Sequence, residues 1–193
     1  MAIGSFRREC VRSASPIGLQ PQIHYVGRTR FSNVVEDSVQ EAFMAEAIRL
    51  ATESVTSGKG GPFGAVVVKD GHVVGRGTNG VTLHNDPTAH AEVMAIRDAC
   101  RRLGEYHLTG CHLYVSCMPC PMCLSACYWA RIERVYYAAR AEDAAAAGFD
   151  DVVIAEELGL PLASRRLPLL HVNVGDALAP LRLWREKDDK VPY

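Results

Sequence analysis

One histidine and two cysteines stand where they could share a metal ion: His90, then Cys120 and Cys123 further along the chain. Nitrogen and thiolate sulfur are the donors that zinc takes in a tetrahedron. Three protein ligands leave the fourth position open, which is the plan of a catalytic site rather than a closed structural one. Cysteines at i and i+3 lie on one face of a helix, so both sulfurs can reach a single ion. Pro119 stands where that helix could begin, and backbone N–H groups at a helix start favour thiolate over thiol. Glu92 follows His90 at i+2, a spacing that does not share a helix face. The two serve one site only if it lies at the tip of their helix, and Asp86-Pro87-Thr88 supplies stop and cap residues just ahead of it. A carboxylate beside an open metal position can take a proton from water and return it to a substrate.

The elements that must hold these residues can be read from periodicity. Phe43, Met44, Ala47, Ile48, Ala51 and Val55 mark a helix face, which Gly58 and Gly60-Gly61-Pro62 end. Phe63 to Lys69 reads as a buried strand, Asp70-Gly71 as a hairpin turn and His72 to Thr78 as the returning strand. A polar loop is expected from Val81 to Pro87, then a helix from about Thr88 to Leu103. A strand over His112 to Ser116, a helix from Pro119 to about Ala130, a strand over Arg134 to Ala139 and a helix from Arg140 to Ala147 follow. A further helix begins near Val152. A weak strand near Leu169 to Val174 and a last helix from about Asp176 to Lys187 complete the pattern. Alternating strands and helices predict an α/β three-layer fold, a mixed central sheet flanked by helices.

The 193 residues suit one domain with a sizeable core. A net charge of −1 offers no positive field for a polyanion, so a small substrate is favoured over nucleic acid. No apolar run is long enough for a bilayer, so no membrane partner is expected. The seven cysteines are odd in number, and Cys117, Cys120, Cys123 and Cys127 cluster. That suits metal chemistry in a reducing compartment, the cytoplasm, better than a disulfide framework. Residues 1–36 form a separate arm, rich in arginine and serine and poor in acids. The composition is faintly that of a transit peptide, and a disordered or non-functional extension is the favoured reading.

The order H-x-E, then P-C-x-x-C, is the signature of the zinc-dependent deaminases, in which the glutamate shuttles protons and does not bind metal. The chain from about Val39 to Tyr193 resembles the bacterial guanine deaminases of the cytidine-deaminase superfamily. The matching stretches are Gly60-Gly61-Pro62-Phe63-Gly64-Ala65-Val66, Asn85 to Glu92, Cys120-Pro121-Met122-Cys123, Tyr128-Trp129-Ala130-Arg131 and Ala147-Gly148-Phe149-Asp150-Asp151. The resemblance implies a cytidine-deaminase-like fold over residues 37–193, one Zn²⁺ per subunit, and hydrolysis of guanine to xanthine and ammonia. It implies that Glu92 and Asp151 are catalytic, and that Asn79, Phe63, Ala91, Trp129 and Tyr193 contact the purine base. It also implies a homodimer in which a C-terminal segment, about 175–193, is exchanged and Tyr193 closes the neighbour's site. Blander roles stay open at this point: Asn79-Gly80 suits a turn, Asp150-Asp151 a helix cap, and Phe63 and Trp129 a core. One departure is Met118, where the family usually carries glutamate ahead of Pro119-Cys120. That position is not a ligand, so metal binding should survive.

Three alternatives compete. A guanosine or cytidine-type deaminase would keep the chemistry and change the substrate. The spacing of Cys117, Cys120, Cys123 and Cys127 also occurs in iron–sulfur electron carriers, although Tyr128 stands where a proline usually follows. A closed zinc module with four cysteine ligands would leave His90 and Glu92 without a task.

Overall fold

A computed structural model describes residues 30–192. Most of the expected arm, and Tyr193, lie outside the described residues. Helix α1 (Arg30–Thr56) comes first, so the helix begins ahead of the patterning that starts near Asp37. Strands β1 (Gly64–Lys69) and β2 (His72–Thr78) form the expected hairpin. Asp70 (φ 50°) and Gly71 (φ 74°) supply the two left-handed residues that a tight hairpin turn demands.

The next segment departs from expectation in two ways. Val81–His84 forms a short helix, α2, where a loop was expected. Its first N–H is held by Asn79 Oδ1 at 3.3 Å. Helix α3 (Ala91–Leu103) starts three residues after Thr88. Asp86 Oδ1 captures the Thr88 N–H at 2.8 Å and its hydroxyl at 2.6 Å, which ties Thr88 into a turn of its own. Strand β3 (Cys111–Cys117), helix α4 (Pro121–Trp129) and strand β4 (Arg134–Ala139) follow. Then come α5 (Ala141–Ala146) and α6 (Asp151–Gly159). Leu162–Ser164 makes a short 3-10 turn, and α7 (Ala179–Glu186) ends the described chain.

The sheet order is β2-β1-β3-β4. The β1–β2 and β1–β3 pairs are antiparallel and β3–β4 is parallel, so the sheet is mixed as expected. Side chains alternate along β1 and build two cores. Ala65 and Val67 face α3 and α4, packing with Ala95, Ile96, Ala99 and Cys127. Val66 and Val68 face α1, with Phe43, Met44 and Leu50. Three layers result.

The strand expected near Leu169 to Val174 does not form. No regular structure spans 165–175, and Leu170 is 82% exposed and Val172 68% exposed. A strand needs a neighbour for its hydrogen bonds, and among the described residues no fifth strand joins the free edge of β4.

Helix α3 lies against β2 with backbone touching backbone. A Cβ added at Gly77 would lie 2.1 Å from the carbonyl oxygen of Ala91 and 2.4 Å from the Ala95 nitrogen. Gly77→Ala must therefore displace the first turn of α3. The expected cost is about 1–3 kcal/mol, seen as a lower Tm together with loss of metal in a zinc assay. Undiminished Tm and zinc content would contradict this packing argument.

Candidate metal centre and active site

Local sequence places His90 and both cysteines at helix starts. His90 occupies the N-cap of α3 in an extended conformation (φ −72°, ψ 155°), and Glu92 is the second residue of the helix. They share the site because it lies at the helix tip, as their i+2 spacing requires. Cys120 is the N-cap of α4, also extended (φ −64°, ψ 166°), with Pro121 the first helical residue. A residue before proline is driven out of the helical region, so Pro121 fixes this start two residues after Pro119.

The three ligand atoms lie within 4.8 Å of one another. His90 Nδ1 is 3.6 Å from Cys120 Sγ and 3.5 Å from Cys123 Sγ. Zinc–sulfur bonds of about 2.3 Å and zinc–nitrogen bonds of about 2.0 Å at a tetrahedral angle require a separation of about 3.5 Å. The donor set and its spacing therefore fit zinc.

Among the described residues, the remaining cysteines do not join the cluster. Cys117 Sγ donates to the carbonyl of Arg140 at 3.4 Å. Cys127 packs in the α3–α4 core, where burial and the charge of Glu92 push its thiol up to about 12. The four-cysteine readings, iron–sulfur and closed zinc alike, are thus not realised: two of the four sulfurs have other surroundings, and a histidine takes part.

Protons are unevenly held around the site. Cys123 and His90 hydrogen-bond the Cys120 sulfur and bring its thiol down to about 4, while Cys123 is driven the other way by the same shared proton. Cys120 in turn raises His90. Glu92 is only 7% exposed. Burial lifts its carboxyl above the usual range, a direction compatible with acid–base chemistry.

A cavity of about 270 Å³ opens onto these residues, lined among others by Phe63, Asn79, His90, Glu92, Cys120 and Asp151. Asp151 opens α6, and burial followed by the nearby Cys120 sulfur raises its carboxyl. Asp150 holds the N-cap position of α6 but makes no side-chain cap bond. Phe63 meets Phe149 edge to face, with ring centroids 4.7 Å apart. Phe149 and Met118 also line the cavity and were not singled out as substrate contacts. The Gly148-Phe149 step before Asp151 was the available signal for Phe149. Ala91 is buried as the first residue of α3. Trp129 is not brought into the cavity: it ends α4 and is 63% exposed.

Residues 37–139 match the profile of the cytidine and deoxycytidylate deaminase zinc-binding region. This chain belongs to that deaminase family. Its likeness extends past the matched region. Over 153 residues it is 53% identical to the guanine deaminase of Bacillus subtilis strain 168, covering 79% of this chain and 98% of that protein. The X-ray structure of guanine deaminase from Bacillus subtilis superposes with a TM-score of 0.77 at 53% identity, again over 79% of this chain and 98% of that one. The tRNA-specific adenosine deaminase of Aquifex aeolicus is 44% identical over 100 residues, 52% of this chain and 66% of that enzyme. The chain is an enzyme of the hydrolytic, zinc-binding deaminase type, with a His-Cys-Cys set that suits one zinc per subunit.

Zinc analysis of purified variants checks the ligand set. One zinc per chain is expected in the native protein, in Cys117→Ser and in Cys127→Ser, and well below one in His90→Ala, Cys120→Ser and Cys123→Ser. A coloured, iron-containing protein would overturn the assignment. A second check uses the metal-free protein. The raised Glu92 carboxyl means that the folded state holds this proton to higher pH than the unfolded chain, whose glutamate titrates at about 4.3. Stability should therefore fall as pH rises through the window above that value. In Glu92→Gln the Glu92 share of this fall is removed and the slope is shallower, so the variant's Tm should exceed that of the native chain at neutral pH.

Proposed function

We propose that this protein hydrolyses guanine to xanthine and ammonia. What carries the reading is one cavity that joins a purine-sized space, two polar groups able to read a base, and the proton-holding Glu92 beside the metal ligands. Its volume lies just under the range of about 300–1,000 Å³ typical of pockets for drug-sized ligands. That favours a free base over a nucleoside. The 53% identity to a guanine deaminase over nearly its whole length points the same way.

Zinc held by His90, Cys120 and Cys123 supplies Lewis acidity, which makes a water-derived nucleophile available at neutral pH. The chain's own groups do the rest. Phe63 and Phe149 wall the flat ring. Asp151 accepts from N–H groups of the base, and the Asn79 amide donates to a ring acceptor. The N–H of Ala91, at the start of α3, has no partner within the helix and is available to a substrate oxygen. Glu92 takes one proton of the attacking water and delivers it to the ring nitrogen next to the reacting carbon; it then takes the remaining proton of the new hydroxyl and passes it to the amino group, so that the C–N bond breaks, ammonia leaves and the carbonyl of xanthine forms.

The assembly belongs to this proposal. We infer a homodimer in which the C-terminal segment is exchanged. Leu167, Leu170, Val172, Leu181 and Leu183 are all exposed on a single chain. The Pro192 carbonyl accepts from the Tyr106 hydroxyl at 3.1 Å, beyond the C-terminal end of α3. The 13-residue α3 separates that end from His90 by about 20 Å. The described C-terminal end thus lies away from His90, and exposed Trp129 fits a contact between subunits. The six described cysteines are free thiols, which agrees with a reducing compartment, the cytoplasm. No helix among the described residues is long and apolar enough to cross a membrane.

Ammonia release from guanine, guanosine, cytidine and adenine, assayed in parallel on zinc-loaded protein, tests the substrate. Release from guanine is expected, with Glu92→Ala slower by about 10²–10⁴-fold. Preference for guanosine or cytidine would replace the substrate and keep the chemistry, and an unimpaired Glu92→Ala would remove the proposed proton carrier.

A further inference from the structure

We propose that Gly60 is a positioning residue for substrate binding, acting through Asn79; the role of Asn79 itself rests on the function proposed above. Asn79 is 8% exposed and lines the cavity. Its Oδ1 is engaged by the Val81 N–H, which leaves the amide nitrogen for a ligand. An amide held this way discriminates only if its backbone is fixed, and two contacts fix it. The Asn79 N–H donates to the Phe63 carbonyl at 3.1 Å. On the other side the chain of Gly60 lies flat against the Asn79 carbonyl group. A Cβ at Gly60 would stand 1.8 Å from that oxygen and 2.9 Å from its carbon. Both are backbone atoms, which cannot swing aside as the end of a side chain would. The φ of Gly60 lies outside the left-handed region, so backbone conformation does not demand glycine here. The space taken by the Asn79 backbone does, with the Ser54 hydroxyl a lesser neighbour at 3.2 Å.

The loop that brings Gly60 there is itself anchored. The N–H groups of Lys59 and Gly60 both point to the Ser54 carbonyl, at 3.0 and 3.4 Å, near the end of α1. Gly61 continues the contact: a Cβ there would lie 3.4 Å from Cγ and Oδ1 of Asn79. The end of α1 thus braces a base-reading side chain that follows β2, although neither Gly60 nor Ser54 touches metal. A methyl group at Gly60 must push the Asn79 backbone, and with it the amide, out of register with the base. His90, Cys120 and Cys123 lie on other elements, and the displaced peptide approaches them only through the Gly80 N–H, which donates to the Ala89 carbonyl at 2.8 Å.

The test is Gly60→Ala in the zinc-loaded protein, alone and combined with Asn79→Ala. Expected are one zinc per chain, a kcat within a few-fold of native and a KM raised by about tenfold, the scale of one lost hydrogen bond. Added to Asn79→Ala, the substitution should cost nothing more, because its target is gone. The side-chain amide resonance of Asn79, assigned by its disappearance in Asn79→Ala, should shift in Gly60→Ala without any substrate. An unmoved resonance, an unchanged KM or a fully additive double variant would overturn the proposal. So would loss of zinc or a collapsed Tm, since the clash would then fall on the fold. If another base or nucleoside proves to be the substrate, the kinetics are run on that compound, and the substrate-free resonance still decides the role of Gly60.

Discussion

Everything at this site depends on bringing the starts of separate helices to one point. His90 caps α3, Cys120 caps α4, and Asp151 opens α6. Each helix start presents unsatisfied N–H groups and the positive end of its dipole. Three such ends around one cavity favour negative groups there, thiolates and carboxylates alike. This is the charge pattern that a divalent cation then completes. The strands fix the distances: α4 follows directly from β3, while α3 is laid on β2 so closely that Gly77 has no room for a side chain.

Burial works against those dipoles, and the balance differs from residue to residue. The Cys120 sulfur, hydrogen-bonded from two sides, loses its proton readily. Glu92 lies deeper, and burial outweighs the hydrogen bonds it receives. One site thus holds an anionic ligand and a carboxyl that keeps its proton longer than usual. The division follows from depth and partners.

The C-terminal segment has a different character. The segment after α6 lies largely exposed, including Leu181 and Leu183 of α7. The two cores beside the sheet are complete without it. The contrast is between two cores closed around the sheet and a C-terminal segment whose leucines stay exposed on a single chain.

The sequence by itself pointed to the cluster of His90, Cys120 and Cys123, to Glu92 beside it and to the hairpin, because each rests on a short-range rule: ligand spacing, the period of a helix, or turn chemistry. The i+2 spacing of His90 and Glu92 even located the site at a helix tip. Local rules also misplaced some boundaries, where one side chain decided: Asp86 delayed α3 and Pro121 delayed α4. Only the tertiary structure decided what stands around the ligands. It turned Phe149 and Met118 into the cavity, left Trp129 outside it, separated Cys117 and Cys127 from the cluster and set Gly60 against Asn79. It also left Leu169 to Val174 unpaired, since a strand exists only where another lends its hydrogen bonds. These outcomes depend on distance between residues far apart in the chain, which no period or spacing records.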